Sequence, residues 1–575
     1  MCGIVGISSQ KDFSSHVLLT RLKRLEYRGY DSYGYRLGPT TLKAIGEIRA
    51  ATGGRGRLGI AHCRWATHGG VSERNAHPHL SCDGRVAVVH NGIIENHEDL
   101  RRELARKGHR FAGETDSEVI AHLIEEGLRD GPMPRVITTL FRRLVGSFAV
   151  LVTVEGLEEM YAMKRDSPLV LGVDEGRTFV ASDIHAFSDA TDRAVFFEND
   201  EFAVIRAGNF RFFDKRGRPV AKRVRRFSWE CETRPRSGSG HHMFREIREE
   251  PEAVERLLFS LGHDQKKAFD ELVGLIRRSR KVIFASCGTS YHASLLGSYF
   301  LHRTGVECQT LIASEFKHFA DVDPNTLVIA LSQSGETMDV IDALKYAAGK
   351  GGRIAAVVNV PHSTIQRMSC LTLNILAGHE VCVASTKAFV NQAVFLLMVA
   401  RRFGFRVDPT DIPDKIRALF RRRATLKAFA VEMARSRDLY IIGRGLTYPV
   451  ARETALKIKE TSYIHAEGMM GGELKHGTLA LIEEGTPVIS LINNSDPDII
   501  SNTREVEARG AKVFIITNNP AFGREKTAFS IGTGNDGKFG ILAAVAGQLI
   551  AYYAAASLGR PIDKPRNLAK SVTVK

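Results

Sequence analysis

The sequence has 575 residues, of which 43 % are hydrophobic and 25 % charged. This ordinary globular balance excludes wholesale disorder, a collagen-like repeat and a multi-span membrane protein, and the length predicts about four domains. The net charge of +15 is spread along the chain, and its densest clusters, Arg421-Arg422-Arg423 and Arg223 to Arg226, lack the interleaved aromatics of a single-strand platform; the expectation is a basic surface that attracts phosphorylated metabolites, with no nucleic-acid partner.

The start, Met1-Cys-Gly-Ile-Val-Gly-Ile7, has neither a basic n-region nor a long apolar core. No signal peptide is expected, and the expected location is cytoplasmic. The eight cysteines include no CxxC pair and no Cys/His cluster at zinc spacing. This argues for a reducing compartment and against a zinc module, so no metal is expected.

Residues 2–215 read as α/β with many short strands, among them Val86–His90, Phe148–Val154 and Phe202–Ile205. Amphipathic helices are predicted near 95–107 and 116–129, the second opened by a capping box, Thr115-Asp-Ser-Glu118. From Lys215 to Met243, basic residues, Pro219, Pro235 and Ser237-Gly-Ser-Gly240 predict an exposed connector. Beyond it strands alternate with long helical patterns, the signature of doubly wound parallel sheets.

That second half is internally duplicated. Val282-Ile-Phe-Ala-Ser-Cys-Gly-Thr-Ser-Tyr291 resembles Leu439-Tyr-Ile-Ile-Gly-Arg-Gly-Leu-Thr-Tyr448, and Leu327–Ser332 resembles Pro487–Ile492. Further apolar strands are predicted at Ile354–Val358 and Lys512–Thr517, with helical linkers over 388–435 and an irregular tail after Gly559. Phe539–Gly559 is long enough to span a bilayer. Gln548 in mid-run, and the lack of a second such segment, predict a buried helix and no membrane partner.

Two groups of motifs carry chemistry. Removal of Met1 leaves Cys2 with a thiol and a free α-amine, a nucleophile and a base in one residue. Arg64-Trp-Ala-Thr-His68 ends a strand-like run, Asn75-Ala-His-Pro-His79 follows in a turn, and His90-Asn-Gly-Ile-Ile-Glu-Asn96 ends another strand. The Asn91 amide and the Gly92 N–H, two donors on one turn, suit an oxyanion hole. Arg64 can grip a carboxylate, and Asp116 an amine. Together these describe a glutamine amidohydrolase. In the second half, Leu331-Ser-Gln-Ser-Gly-Glu-Thr337 follows a strand and opens a helix, an anion cradle without the Gly-Lys-Ser/Thr of a nucleotide loop. Gly288-Thr-Ser290 is its companion turn.

These motifs, with Leu22-Lys-Arg-Leu-Glu-Tyr-Arg-Gly-Tyr-Asp-Ser32, Val383-Ala-Ser-Thr-Lys-Ala-Phe389, Ala455–Glu467, Gly472–Gly477 and the tail Pro565–Val574, resemble the glutamine:fructose-6-phosphate aminotransferase (isomerizing) family over nearly the whole chain. The resemblance implies an N-terminal-nucleophile αββα glutaminase sandwich at 2–215, a linker at 216–245, two doubly wound, flavodoxin-like sugar-isomerase (SIS) domains at 246–405 and 406–560, and a tail at 561–575 that joins the sugar site.

It also implies roles. Cys2 attacks the glutamine amide, Arg64, Thr67, His68 and Asp116 hold glutamine, Asn91 and Gly92 stabilise the oxyanion, and Trp65 gates ammonia. Thr289, Ser290, Ser332, Gln333, Ser334, Thr337, Val383, Lys457 and Ala569 bind the sugar phosphate. Lys570 forms the Schiff base with fructose 6-phosphate, Glu460 moves the proton between C1 and C2, and His476 opens the ring from the neighbouring subunit of a homodimer. No cofactor is required. Rival expectations are weaker. A phosphoribosyl-transferring or asparagine-synthetase relative would carry an acidic pyrophosphate motif or an SGGxDS loop, and neither is present. A SIS-type sugar-phosphate sensor would have no use for Cys2, Glu460 or Lys570. The resemblance has three departures: Tyr33 in place of a small residue, Gly468-Met-Met-Gly-Gly472 as a variable insert, and the connector around 218–240.

Overall fold

The computed structural model describes residues 2–49, 53–226, 240–522, 525 and 527–572. The chain divides into two compact units, residues 1–236 with 571–575, and residues 237–570.

The first unit is built on two antiparallel sheets of eight and seven strands. The elements that matter for its site are β1 (Gly3–Ser14), α1 (Ser15–Lys23), β2 (Ser32–Leu37), β3 (Arg55–Arg64), β4 (His79–Leu80), β5 (Val86–Ile94), α2 (His97–Arg106), α3 (Glu118–Asp130) and β6 (Gly146–Val154). Successive side chains of a strand point to opposite faces. Val86 and Val88 of β5 therefore pack on α2 and α3, while Ala87 and Val89 meet Ile4 and Ile60 from the other sheet. Val5 and Ile7 of β1 face Leu18, Leu19 and Leu22 of α1. Three apolar layers result, stacked as helix, sheet, sheet, helix. β1 and β3 are antiparallel neighbours, with Gly3 opposite Cys63. This register sets Cys2 beside the end of β3, where Arg64 and Trp65 follow.

Three local expectations need correction. The connector does not begin at Lys215: Pro219–Val220 pairs with Asn209–Asp214, and Arg225–Arg226 pairs with Arg193–Phe196. Both short strands lie at sheet edges, where a proline and charged side chains are tolerated. Residues 227–239 of the expected connector, Pro235 and Ser237–Ser239 among them, lie outside the described residues, as do Thr573 and Val574 of the tail, and the connector ends before Met243, because His242–Arg248 is helical. Thr115–Glu118 is not a capping box, because Thr115 Oγ1 bonds His79 Nε2 at 2.9 Å and the Glu118 carboxylate accepts from the N–H groups of Ala112 and Gly113. Asn91-Gly92 is not a turn but lies within β5, opposite Ala149 and Phe148 of β6.

The second unit holds two five-stranded parallel sheets. The first uses β7 (Lys281–Ser286), α4 (Gly288–His302), β8 (Gln309–Ile312), β9 (Thr326–Ser332), α5 (Met338–Gly349), β10 (Arg353–Val358), β11 (Leu371–Asn374) and α6 (Lys387–Arg401). The second uses β12 (Asp438–Gly443), α7 (Tyr448–Ser462), β13 (His465–Met470), β14 (Pro487–Ile492), β15 (Lys512–Thr517), β16 (Ala528–Ser530) and α8 (Asp536–Ser557). The strand orders are β8-β7-β9-β10-β11 and β13-β12-β14-β15-β16. Both are the flavodoxin-like order 2-1-3-4-5, so the duplication seen in the sequence is a duplicated sheet. In such sheets ligands bind where the strand order reverses, outside the carboxyl ends of the first and third strands. In the first copy those ends carry Gly288-Thr-Ser290 and Ser332–Thr337.

One expectation changes here. Most of α6, placed by sequence in a helical linker, is buried core of the first sheet's domain; only Ile412–Arg421 and Arg423–Met433 lie between the two. Gly468–Met470 forms the end of β13, paired with β12. α8 is long and apolar enough to cross a membrane by length and composition, yet it is largely buried in this unit, and Gln548 donates to the Thr386 carbonyl at 3.2 Å.

Candidate active sites

In the first unit the backbone N–H of Trp65 donates to Cys2 Sγ at 3.4 Å. Burial pushes the Cys2 thiol up, opposed by the N-terminal ammonium, the Trp65 N–H and Arg64. The Cys2 carbonyl accepts from Asn91 Nδ2 at 2.9 Å and from Arg28 Nε at 3.3 Å. Gly92 follows Asn91 with φ +131°. A Cβ there would lie 2.0 Å from the Ser147 carbonyl oxygen, so only glycine lets β5 run on past β6 with the Asn91 amide turned to Cys2.

Arg64 is buried, and its guanidinium is fixed by the carbonyls of His68, Gly69 and Gly70. Asp116 is also buried. Its Oδ2 accepts from the Ile94 N–H at 2.8 Å, and its Oδ1 from the Ser117 hydroxyl at 3.2 Å. Trp65 is half-buried, and His68 lies edge-on to His97. Thr67 is exposed and hydrogen-bonds the His68 ring at 3.4 Å rather than turning inward. Of the residues expected around glutamine, Arg64 and Asp116 thus lie close to Cys2, while His68 bonds Arg64 through its carbonyl and Thr67 points outward.

The supports beneath them were not legible as site residues. Asp31 accepts from the Ala66 N–H at 2.8 Å and fixes the turn after β3. Arg28 also reaches Asp183, which accepts from the Tyr27 hydroxyl and the His185 N–H as well. Both lie in the quoted Glu26–Ser32 motif, the one signal available. Tyr33 crowds nothing: it is buried in β2, and its hydroxyl accepts from the Arg49 N–H at 3.3 Å.

Four buried histidines underlie the site. His62 stacks on His77 at 3.9 Å, and His77 meets His79 at 4.5 Å. His62 Nε2 donates to the His90 carbonyl, and His90 Nδ1 bonds Ser117 Oγ at 2.8 Å. Burial lowers all four, His62 to about 3. The unfolded chain then binds more protons below its histidine value of about 6.5, so stability is complete above that pH and lost as pH falls toward 3. His62 alone accounts for about 2 kcal/mol at pH 5. Calorimetry between pH 7.5 and 5 should show the first unit's unfolding temperature falling below pH 6.5, with a smaller fall in His62→Gln. A pH-independent midpoint would refute this.

In the second unit, Ser332 ends β9 and Thr337 starts α5. Ser332 Oγ accepts from the Gly335 N–H at 3.0 Å and lies 3.3 Å from Thr337 Oγ1. Ser334 Oγ accepts from the Glu336 N–H, and the Gln333 carbonyl accepts from Asn359 and Val360. No described side chain caps α5. Its first N–H groups and these hydroxyls gather at one helix N-terminus, the arrangement the expected anion cradle requires.

Thr289 and Ser290 lie in the first turn of α4, not in a free turn. Ser290 Oγ accepts from Gln392 Nε2 at 3.0 Å. Thr289 Oγ1 bonds Glu453 at 3.1 Å and accepts from Lys457 Nζ at 2.9 Å. Lys457, buried on α7, also pairs with Glu460 at 2.5 Å and Glu453 at 3.6 Å. This joins the second repeat to the sugar end of the first. Burial raises Glu460, helped by Glu453 and opposed by Lys457 and the nearby Lys570 ammonium. A carboxyl raised in this way suits proton transfer near neutral pH.

The tail returns to this region. Val383 N–H donates to the Asp563 carbonyl, and Cys382 Sγ to that of Ile562. Beyond half-buried Ala569, the buried Lys570 ammonium pairs with Glu380 at 2.5 Å. Burial opposes ionisation of Glu380, but Lys570 and hydrogen bonds from Ser385 and Thr386 hold it at about 2. Glu380 and Glu453, both buried, were missed in the sequence. His476 is exposed at the end of the turn Gly471–His476.

Comparison with known proteins bears on both units. A glutamine amidotransferase domain matches residues 62–189, and a SIS domain matches 275–402 and again 432–558. Glutamine--fructose-6-phosphate aminotransferases [isomerizing] of Sulfolobus acidocaldarius and Symbiobacterium thermophilum are 37 % and 40 % identical, each aligned over 100 % of both chains. The C-terminal domain of glucosamine-fructose-6-phosphate aminotransferase from Francisella tularensis superposes on 58 % of the chain and 100 % of its own length, at TM-score 0.53 and 30 % identity.

Proposed function

The chain belongs to the glutamine--fructose-6-phosphate aminotransferase (isomerizing) family, and from that membership we propose how its two units divide the work. The reaction is glutamine-dependent synthesis of glucosamine 6-phosphate from fructose 6-phosphate, with glutamate as the other product. We assign glutamine hydrolysis to residues 2–226 and sugar chemistry to residues 240–572. The SIS domains are taken as 246–405 and 406–560, the second completed by the tail at 561–572.

With Met1 removed, the α-amine of Cys2 takes the thiol proton and the thiolate attacks the glutamine amide. Arg64 and Asp116, each already fixed by neighbouring groups, hold the substrate's carboxylate and amine. Asn91 and Gly92 face the developing oxyanion, and Trp65 gates the released ammonia. Sugar phosphate sits in the cradle of Ser332, Gln333, Ser334 and Thr337, with Thr289, Ser290, Val383, Lys457 and Ala569 around the sugar. Lys570 forms an imine with the ketone and releases water; ammonia then displaces Lys570 by transimination, and the C2 imine that results acidifies C1. Glu460 then shuttles the proton between C1 and C2. We place the enzyme in the cytoplasm as a homodimer in which His476 serves the neighbouring subunit.

The observation that carries the sugar half is the buried Lys570–Glu380 pair at the end of the docked tail, electrostatically coupled to Glu460. Borohydride reduction in the presence of fructose 6-phosphate should place one sugar adduct on Lys570 by mass spectrometry, in protein that forms glucosamine 6-phosphate. An adduct on another lysine, or none in active protein, would refute the assignment.

A further inference from the structure

The fold brings four metal-ligating side chains together in the first unit, away from Cys2. Cys82 lies in the turn between β4 and β5, His109 follows α2, and His122 and Glu125 sit one turn apart on α3. Their ligand atoms all lie within 4.8 Å of one another. Cys82 Sγ is 3.6 Å from His109 Nδ1 and 3.5 Å from His122 Nδ1. Glu125 Oε2 is 3.1 Å from His109 Nδ1 and 3.5 Å from His122 Nδ1. A tetrahedron with Zn–S of about 2.3 Å and Zn–N or Zn–O of about 2.0–2.1 Å has S···N edges of roughly 3.5 Å and N···O edges of roughly 3.3 Å. Four of the six edges match these lengths, and the other two, His109 to His122 and Cys82 to Glu125, are within 4.8 Å.

The outer groups fit as well. His109 Nε2 faces Glu126 at 3.2 Å, and His122 Nε2 faces Glu118 at 3.7 Å. A carboxylate at Nε2 favours the tautomer with its proton there, which leaves the Nδ1 lone pair directed at the thiol and Glu125. In those tautomers two lone pairs, a sulfur and a carboxylate converge on one point, where a cation can take the place of the protons that would otherwise lie between them. The Arg110 N–H also donates to Cys82 Sγ at 3.3 Å, a bond that favours a thiolate. Both histidines are buried, and Phe111 covers His122 edge-on. Cys82 is exposed and leaves a path for the ion.

We propose that Cys82, His109, His122 and Glu125 form a structural tetrahedral site for Zn²⁺. A thiolate, two imidazoles and a carboxylate match that ion's preferences, and four protein ligands leave no open position for catalysis. The ion would tie the β4–β5 turn and the segment after α2 to α3. That segment, 107–117, leads to Asp116, and Glu118 already grips its Ala112 and Gly113 N–H groups. No metal was expected from the sequence, because these four residues come from three elements and do not share the spacing of a zinc motif.

The test is Co²⁺ titration of full-length, metal-stripped protein. One Co²⁺ per chain should bind with strong tetrahedral ligand-field bands and a thiolate-to-cobalt charge-transfer band, both removed by Zn²⁺. Cys2→Ala should keep the spectrum, and Cys82→Ser should lose the charge-transfer band with its circular dichroism intact. Should Cys82→Ser fold poorly, Glu126→Gln should still lower Co²⁺ affinity by roughly 10- to 100-fold. Zn²⁺ should also slow hydrogen exchange in 107–117. A weak octahedral spectrum in the wild type, or a charge-transfer band that survives Cys82→Ser or vanishes in Cys2→Ala, would overturn the proposal.

Discussion

Cys2→Ala will abolish glutamine hydrolysis while fructose 6-phosphate isomerisation stays measurable. The substitution removes the thiol that bonds the Trp65 N–H beside Arg64 and Asn91; the neighbouring Cys63 thiol is fully buried and donates to the Leu25 carbonyl instead. Loss of a nucleophile from a preorganised site costs roughly 10⁴-fold or more in rate, because the remaining groups act only through it. Little folding energy is at stake. The Cys2 carbonyl, which Asn91 and Arg28 hold, is a backbone group and survives the change. The sugar groups Thr289, Lys457, Glu460, Glu380 and Lys570 belong to a separately clustered unit. The measurements are glutamate release and the conversion of fructose 6-phosphate to glucose 6-phosphate. Sustained glutamate release would refute the nucleophile assignment, and joint loss of both activities would refute the division of labour.

Much of the fold was legible because hydrophobic period and turn chemistry agreed. The strand–helix alternation and the duplicated Val282–Tyr291 and Leu439–Tyr448 segments foretold two parallel sheets of one order, which in the first copy puts the switch point at Ser332 and Thr289. What failed was local. Asn91-Gly92 carries the strongest hairpin signal in two residues, but the apolar residues on either side kept it in the strand, and Gly92's positive φ serves close packing on Ser147 instead. Pro219–Val220 and Arg225–Arg226 lack any apolar pattern because edge strands need none.

The site was legible where residues lie within one motif and illegible where the fold joins distant ones. Glu380 meets Lys570 across 190 positions. Glu453 looks like a surface residue of a helix until α4 and α7 bury it against His292 and Thr289. Cys82, His109, His122 and Glu125 converge only after β5, α2 and α3 are in place. In each case a charged or polar group that composition assigns to solvent is buried with a partner, as the cost of an unpaired buried charge requires.

Separately inactive His476→Ala and Lys570→Ala chains will regain about a quarter of wild-type synthesis when reassembled together. Lys570 is buried against Glu380 and couples to Glu460 of its own chain. His476 is exposed, at the end of a turn anchored by buried Leu474 and by Lys475, which pairs with Glu505 at 2.7 Å. That turn presents the imidazole outward, as a group serving a neighbouring subunit must be. In a two-fold dimer the exchange is reciprocal. A mixed dimer then has one site with both defects and one with neither. Random pairing makes about half the dimers mixed, each with one good site of two, which gives about a quarter of full activity. If both residues served the same chain's site, every site would lack one of them and nothing would return. The measurement is glucosamine 6-phosphate formed per total protein, with subunit exchange verified by mass tags. Verified exchange without recovered synthesis would exclude the shared site and return His476 to its own chain.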